Sequence, residues 1–426
     1  MCSLNDENFG DDGDADYMTP QTEKVLSEPK GICHKCGQDG EIYKLHFREA
    51  ECKICFIQYV NHKFRATVGS SKLLPRNAVI LLVFDGSAEA IVLLDMLQKA
   101  QIETNFKRLC CEFKILFIDD YELTNKNLNA IDYSSYIKTV QEFLFKQEGV
   151  KSYVINLRCG KDQEPFDIDN IDSYLARETD KEKIFASNFY RIQTTTSRKE
   201  FLRMHRNKLI ASVSQYLNCR YVFIPSININ VAADLLSSIV LGHGNNAALD
   251  VAFLDDRLGN GIKLMRPLKD LSQSEVILYV RARNLKTLKT SPDLLSGCGN
   301  SLQDITELFI QDLQKNYKST VSTIFRTGSK IAPNNYPNPE GKECIIQNSE
   351  NQSTRYGLCT ICNSLFLAES KTLLAVEYSR YVSKEVVSPI ESFPDHKEYL
   401  NCKSKQGKSL CHRCENMQRD CEVNLM

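Results

Sequence analysis

Residues 81–97 read LLVFDGSAEAIVLLDML, and this stretch decides the fold class. An apolar run typical of a buried strand enters a short turn at 85–87 and leaves as an apolar run with helical periodicity. Strand, tight turn and helix in this order form the first unit of a parallel α/β sheet. The same order introduces many nucleotide-binding loops, because the amides of the turn and the start of the helix attract phosphate.

The chain beyond this stretch repeats the alternation of short apolar runs and longer amphipathic runs. Further strands are predicted at FKILFI (113–118), KSYVINL (151–157), RYVFIP (220–225) and IKLM (262–265). Helices are predicted at 87–104, 132–147, 197–218, 230–242, 271–284 and 300–316. This alternation predicts a doubly wound parallel sheet that is covered by helices on both faces.

Composition shifts divide the chain into five predicted parts. They are a disordered acidic tail at 1–30, a cysteine-rich module at 31–70, the α/β domain at 71–331, a Pro-rich linker at 332–343 and a second cysteine-rich module at 344–426. Within the α/β domain, the polar residues 158–196 are expected to form an insertion or a long loop.

The overall composition is that of an ordinary soluble protein. Of 426 residues, 42% are hydrophobic and 25% are charged. No apolar run reaches the roughly 20 residues that a membrane helix needs, and the acidic N-terminus resembles neither a secretory signal nor a transit peptide. We therefore expect a cytoplasmic protein, with the nucleus as the alternative. The net charge of −1 permits a nucleic-acid partner without requiring one.

Paired cysteines are the strongest local signal in the sequence. Eight of the seventeen cysteines form four Cys-x-x-Cys pairs, namely Cys33/Cys36, Cys52/Cys55, Cys359/Cys362 and Cys411/Cys414. The first two pairs are separated by 15 residues, which is within the range of a zinc ribbon. Four thiolates leave Zn²⁺ no open position, so the ion would stabilise the fold rather than catalyse a reaction. Without an ion, this small module would have almost no core.

The second quartet has a longer separation, 48 residues between Cys362 and Cys411. It is predicted to be a ribbon with a long insertion that holds a second zinc ion. Alternatively, the two pairs bind separate ions with additional ligands drawn from Cys344, Cys402, Cys421 and His396. Cysteine thiolates also bind iron–sulfur clusters, so the metal is not fixed by the cysteines.

The turn after the first strand carries negative charge where a phosphate would have to bind. Gly86 and Ser87 suit a phosphate-binding turn, but Asp85 and Glu89 oppose it. Two like charges about 4 Å apart cost on the order of 4 kcal/mol near a protein surface, or roughly a thousandfold in affinity. Asp85 is better explained as a helix cap, so we expect this chain to bind no ATP.

The order of these parts resembles the tRNA-thiolating enzymes of the PP-loop ATP pyrophosphatase superfamily, which have a HUP-like α/β fold. The resemblance includes RPLKDLSQSEVILY (266–279) and LGHGNNAALDVAFLDDR (241–257). The family motif Ser-Gly-Gly-x-Asp-Ser corresponds here to residues 84–89, with a single glycine. Its Gly-His-Asn-x-Asp-Asp motif corresponds to PSININ (225–230), and its cysteine pair is missing between Cys159 and Cys219. The sequence thus resembles the degenerate second subunit of the cytoplasmic tRNA 2-thiolation complex.

The resemblance implies a heterodimer with a catalytic PP-loop subunit. That partner would use ATP to activate the wobble uridine of Lys, Glu and Gln tRNAs, and sulfur would come from a thiocarboxylated ubiquitin-like carrier. This chain would be a pseudoenzyme without catalytic residues that helps to bind tRNA and stabilises its partner. Two alternatives are an active PP-loop ATP pyrophosphatase with unorthodox residues and a zinc-bearing interaction scaffold unrelated to RNA.

A basic segment, SRKEFLRMHRNKL (197–209), contains the candidate tRNA contacts. Lys199, Arg203 and Arg206 share one helical face, and Lys208 lies close by. Such a face suits phosphate contacts, which position a nucleic acid without reading its sequence. The pattern alone is more often a solvated helix surface, and the family resemblance favours RNA.

Overall fold

The fold was analysed in a computed structural model of the 426-residue chain. The structure describes residues 27–70, 72–102, 109–124, 130–147, 149–160, 163–176, 180–288, 301–317, 319–330, 344–347, 353–367 and 410–420. Most of the predicted acidic tail and the predicted linker at 332–343 lie outside these residues.

A seven-stranded sheet forms the centre of the protein. Its strands are β4 (Ala78–Phe84), β5 (Cys111–Asp119), β6 (Ser152–Asn156), β7 (Phe166–Asp167), β8 (Tyr221–Phe223), β9 (Leu254–Asp255) and β10 (Lys263–Met265). Their order is β7-β6-β5-β4-β8-β10-β9. The inner pairs are parallel, and the two edge strands β7 and β9 are antiparallel to their neighbours. The predicted doubly wound sheet is confirmed, with every predicted strand in it.

Helices cover both faces of this sheet. They are α2 (Ala88–Ile102), α3 (Tyr121–Thr124), α4 (Ala130–Phe145), α5 (Ile171–Leu175), α6 (Asp180–Arg191), α7 (Thr195–Tyr216), α8 (Asn228–Val240), α9 (Ala247–Val251), α10 (Gln273–Arg283), α11 (Leu302–Asn316) and α12 (Thr320–Lys330). Successive side chains of β4 point to opposite faces. Ile80 and Leu82 pack in one core with α2 and α10, whereas Leu81 and Val83 pack in a second core with α7. Among the described helices, none combines the length and apolar character needed to span a bilayer.

Two segments are more regular than the sequence suggested. Strand β1 begins at Ser27, inside the segment predicted as disordered, because it pairs with β2. The polar stretch 158–196 is also not a simple loop. It supplies the edge strand β7 and the helices α5 and α6, and buried residues such as Ile171 and Phe189 anchor it to the two cores.

The N-terminal module comprises β1 (Ser27–Ile32), β2 (Asp39–Leu45), β3 (Arg48–Cys52) and α1 (Lys53–Ser70). Helix α1 packs against α10 of the α/β domain. Glu275, which is fully buried, accepts hydrogen bonds from Tyr59 (2.8 Å) and Lys63 (2.9 Å) of α1. It also closes a capping box with Ser272 at the start of α10. The module therefore shares a core with the central sheet.

The C-terminal segment adds β11 (Cys344–Gln347), β12 (Ser353–Leu358), β13 (Leu365–Leu367) and α13 (His412–Asp420). Its strands form an antiparallel sheet. Phe366 and Met417 pack in the second core with α7. The described part of the segment is therefore attached to the face of the central sheet that α7 covers.

Candidate functional site

The turn between β4 and α2 is occupied by its own side chains. Gly86 adopts the left-handed conformation, with φ of 78°, that the turn requires. The Ser87 amide donates to the Asp85 carboxylate at 2.9 Å, and the Ala90 amide donates to the Ser87 hydroxyl at 3.1 Å. These two amides are among the donors that a phosphate would need at a helix N-terminus.

An apolar side chain also approaches this turn. Leu288, from the segment after α10, has two carbon atoms 3.6 Å from the position that a Cβ atom on Gly86 would take. Glu89 lies in the first turn of α2, where it favours the helix dipole but would repel an anion. The turn is therefore a capped strand-to-helix connection.

A cavity of about 670 Å³ lies beside this turn, at the carboxyl ends of β4, β5 and β8. Strand order reverses between β4 and β8, and such switch points are where open α/β sheets bind ligands. Its lining includes seven acidic residues, Asp85, Asp120, Glu200, Asp234, Asp250, Asp255 and Glu307. It also includes seven basic residues, Lys199, Arg203, Arg206, Lys208, Arg257, Arg266 and Arg413.

Most of the basic charge in the cavity is neutralised by the protein itself. Arg257 pairs with Asp250 and with Asp255, each at 2.6 Å, and Arg266 pairs with Asp255 at 3.1 Å. Although burial opposes it, the guanidinium groups of Arg257 and Arg266 hold the pKa of Asp255 well below its usual range. Little positive charge remains to offset the charge of a triphosphate.

Helix α7 places the four tRNA candidates, Lys199, Arg203, Arg206 and Lys208, along the wall of this cavity. Three of them form ion pairs: Lys199 with Asp304, Arg203 with Glu200 at 2.7 Å and Arg206 with Asp120 at 2.7 Å. The side chains of Arg203 and Arg206 remain more than one-third exposed. The structure thus groups the candidates, and their contact with tRNA stays a prediction.

The N-terminal cysteines converge as the spacing predicted. The ligand atoms of Cys33, Cys36, Cys52 and Cys55 all lie within 4.8 Å of one another. The first pair occupies the turn between β1 and β2, and Gly37 with φ of 70° completes that turn. The second pair spans the end of β3 and the first turn of α1. The Cys52 backbone amide lowers the pKa of the Cys33 thiol to about 6, which favours the thiolate that metals bind.

The C-terminal cysteines form a second quartet of the same kind. Cys359 and Cys362 lie in the turn between β12 and β13, whereas Cys411 and Cys414 lie at the start of α13, and the four thiols are within 4.8 Å of one another. Three are buried, and Cys362 is partly accessible. Among the alternative ligands, Cys402, Cys421 and His396 lie outside the described residues, and only the backbone of Cys344 is described. Four converging thiols fit a tetrahedral metal ion or an iron–sulfur cluster.

Comparison with known proteins identifies the family of this chain. Proteins named cytoplasmic tRNA 2-thiolation protein 2 are 40% identical in Drosophila willistoni and 41% identical in Drosophila mojavensis. These matches cover 98% and 99% of this chain, and 99% and 98% of the respective relatives. The chain belongs to the cytoplasmic tRNA 2-thiolation protein 2 family. The family's sequence profile matches residues 301–416.

The cytoplasmic tRNA 2-thiolation protein 2 family name agrees with the cytoplasmic location expected from the sequence. Among solved structures, the U34-tRNA thiolase NcsA from Methanococcus maripaludis, solved with its [4Fe-4S] cluster, is similar with a TM-score of 0.53. The match covers 78% of this chain and 94% of NcsA at 19% sequence identity. This likeness concerns the fold and agrees with the predicted PP-loop architecture.

The sequence analysis did not single out several charged residues of the cavity. Asp250, Asp255 and Arg257 lie in the family-like stretch 241–257, but their pairing depends on the fold. Arg413 lies between two cysteines of a quartet, and its arginine in a Cys-x-x-Cys turn was the only available signal.

Proposed function

We propose that this chain is the non-catalytic subunit of a tRNA thiolation complex. The carrying observation is the turn after β4, where Asp85 and Ser87 occupy amides that a phosphate would need. Family membership supplies the thiolation context. The balanced charges of the adjacent cavity support the same conclusion, because a polyphosphate needs an excess of positive charge.

The proposed complex contains a catalytic PP-loop partner that adenylates the wobble uridine of Lys, Glu and Gln tRNAs. Sulfur arrives as a thiocarboxylate on a ubiquitin-like carrier that this chain meets only indirectly. In this scheme, the chain stabilises the partner and helps to bind tRNA. Arg203 and Arg206 are the proposed contacts, since each keeps part of its guanidinium exposed at the cavity.

Each cysteine quartet is proposed to hold one structural zinc ion. A bound ion would supply cross-links between segments that are distant in sequence, and the cysteines would hold it as thiolates. The N-terminal ion would join the β1–β2 turn to α1, and the C-terminal ion would join the β12–β13 turn to α13.

The decisive experiment measures pyrophosphate and AMP release by the purified full chain with ATP, magnesium and unmodified tRNA. We expect no release above background from this chain alone and release when the PP-loop partner is added. The partner alone serves as the control for its own activity. Pyrophosphate release that scales with the concentration of the isolated chain would overturn the proposal in favour of an active enzyme.

A further inference from the structure

Arg413 connects the C-terminal cysteine quartet to the cavity. It lies between Cys411 and Cys414 in the first turn of α13 and is 5% exposed. Its guanidinium donates to the carboxylate of Glu200 on α7, and to the Ser238 hydroxyl on α8 at 3.2 Å. Glu200 is also buried and pairs with Arg203. One side chain from the quartet therefore helps to neutralise a buried acid of the cavity wall.

The same helix holds the beginning of α7 from a second point. Asp420, the last residue of α13, accepts hydrogen bonds from the hydroxyls of Thr194 (2.8 Å) and Ser197 (2.6 Å). Thr194 is the N-cap of α7, and its hydroxyl also accepts from the Ser197 amide. The N-terminal half of α7, which carries the basic residues, is thus fixed by contacts with α13.

The other half of the quartet forms the opposite contacts of the wall. The side-chain amide of Asn363 donates to the Arg257 carbonyl oxygen at 2.9 Å. Asn246 exchanges two hydrogen bonds with the backbone of Leu365, at 3.0 and 3.2 Å. The turn after Cys362 is therefore attached to the loops that carry the Arg257 ion pairs.

Both halves of the quartet contribute directly to the cavity lining, through Ile361, Cys362, Asn363, Ser364 and Arg413. The N-terminal quartet contributes none of the lining residues. The two halves lie 48 residues apart in the sequence, and a metal ion is the bond that would hold them together.

We propose that metal binding by the C-terminal quartet assembles the cavity and fixes the basic helix α7, with Arg413 as the positioning residue. Without the metal, four close thiols no longer hold α13 against the β12–β13 turn. Arg413 and Asp420 then lose their places, Glu200 keeps one partner, and α7 loosens at its N-terminal half. The metal thus acts on a binding surface as well as on its own ligands, and this inference does not depend on the proposed thiolation role.

Hydrogen exchange of the full chain tests this proposal. We compare the metal-loaded wild type with the Cys411→Ser variant and measure metal content on the same samples. Loss of the C-terminal metal should speed amide exchange in residues 195–208 by about tenfold or more, since it breaks a buried ion pair and a cap together. Exchange in β4 and α1 should stay unchanged, which shows that the variant is folded. Cys33→Ser is the matched control, and it should leave α7 unaffected.

A second variant separates Arg413 from the metal. Arg413→Met should retain both metals and still accelerate exchange in α7, and adding Glu200→Gln should recover part of the protection. Unchanged α7 exchange in Cys411→Ser after confirmed loss of metal would overturn the proposal. Unchanged exchange in Arg413→Met would overturn the role of Arg413. Global loss of protection in Cys411→Ser would also overturn it, because the metal would then support the whole fold.

Discussion

At the residue scale, Asp85 combines two obstacles to phosphate binding. Its charge repels an anion, and its carboxylate occupies the Ser87 amide. Asp85→Asn removes the charge and can keep the hydrogen bond, whereas Asp85→Gly removes both. We expect no saturable ATP binding by the wild type in calorimetry and stepwise gains, Asn below Gly, of about tenfold each at most, because Glu89 and Leu288 remain. Glu112→Gln, at an exposed position of β5, is the control. Tight ATP binding by the wild type would refute this explanation.

At the element scale, α7 is a basic helix whose charges are partly compensated. Arg206 is 39% exposed and pairs with Asp120. Arg206→Glu should weaken tRNA binding and reduce its salt dependence by about one ion, whereas Asp120→Asn should strengthen binding because Arg206 loses its internal partner. The measurement is tRNA affinity as a function of salt for the complex with the PP-loop partner. Lys44→Glu, at an exposed position of β2 outside the cavity, should change neither quantity. Equal effects of all three substitutions would contradict a contact along α7.

The sequence predicted the elements better than their contacts. The helix predicted at 197–218 is α7 at Thr195–Tyr216, because an apolar stripe reports both the length and the buried face of a helix. The stripe carries no information about partners. Lys199 therefore looked available for phosphate, although it pairs with Asp304 on α11. Short polar elements such as α6 were missed for the opposite reason, since few apolar residues anchor them. Cysteine spacing predicted both quartets because the thiols are their own signal.

At the scale of the whole molecule, the two quartets stabilise different amounts of structure. Buried Cys33, Cys52 and Cys55 form a small cluster of their own, whereas Cys359 and Cys414 belong to the large core beneath α7. A defect at the C-terminal quartet therefore reaches the central sheet, and a defect at the N-terminal quartet stays nearer to its module. This asymmetry predicts unequal costs for the same chemical change.

Cys33→Ser and Cys359→Ser should each lower the metal content of the purified chain from two zinc ions to one. Cys359→Ser should lower the thermal unfolding temperature more, because it also places a polar group in the large core, at a cost of about 1–3 kcal/mol. Elemental analysis, visible absorption and calorimetry on the same anaerobic samples make the measurement. Colourless protein with zinc is the expected result, whereas brown protein with iron and sulfide would assign a cluster instead. Equal unfolding temperatures for the two variants would contradict the unequal coupling of the quartets to the core.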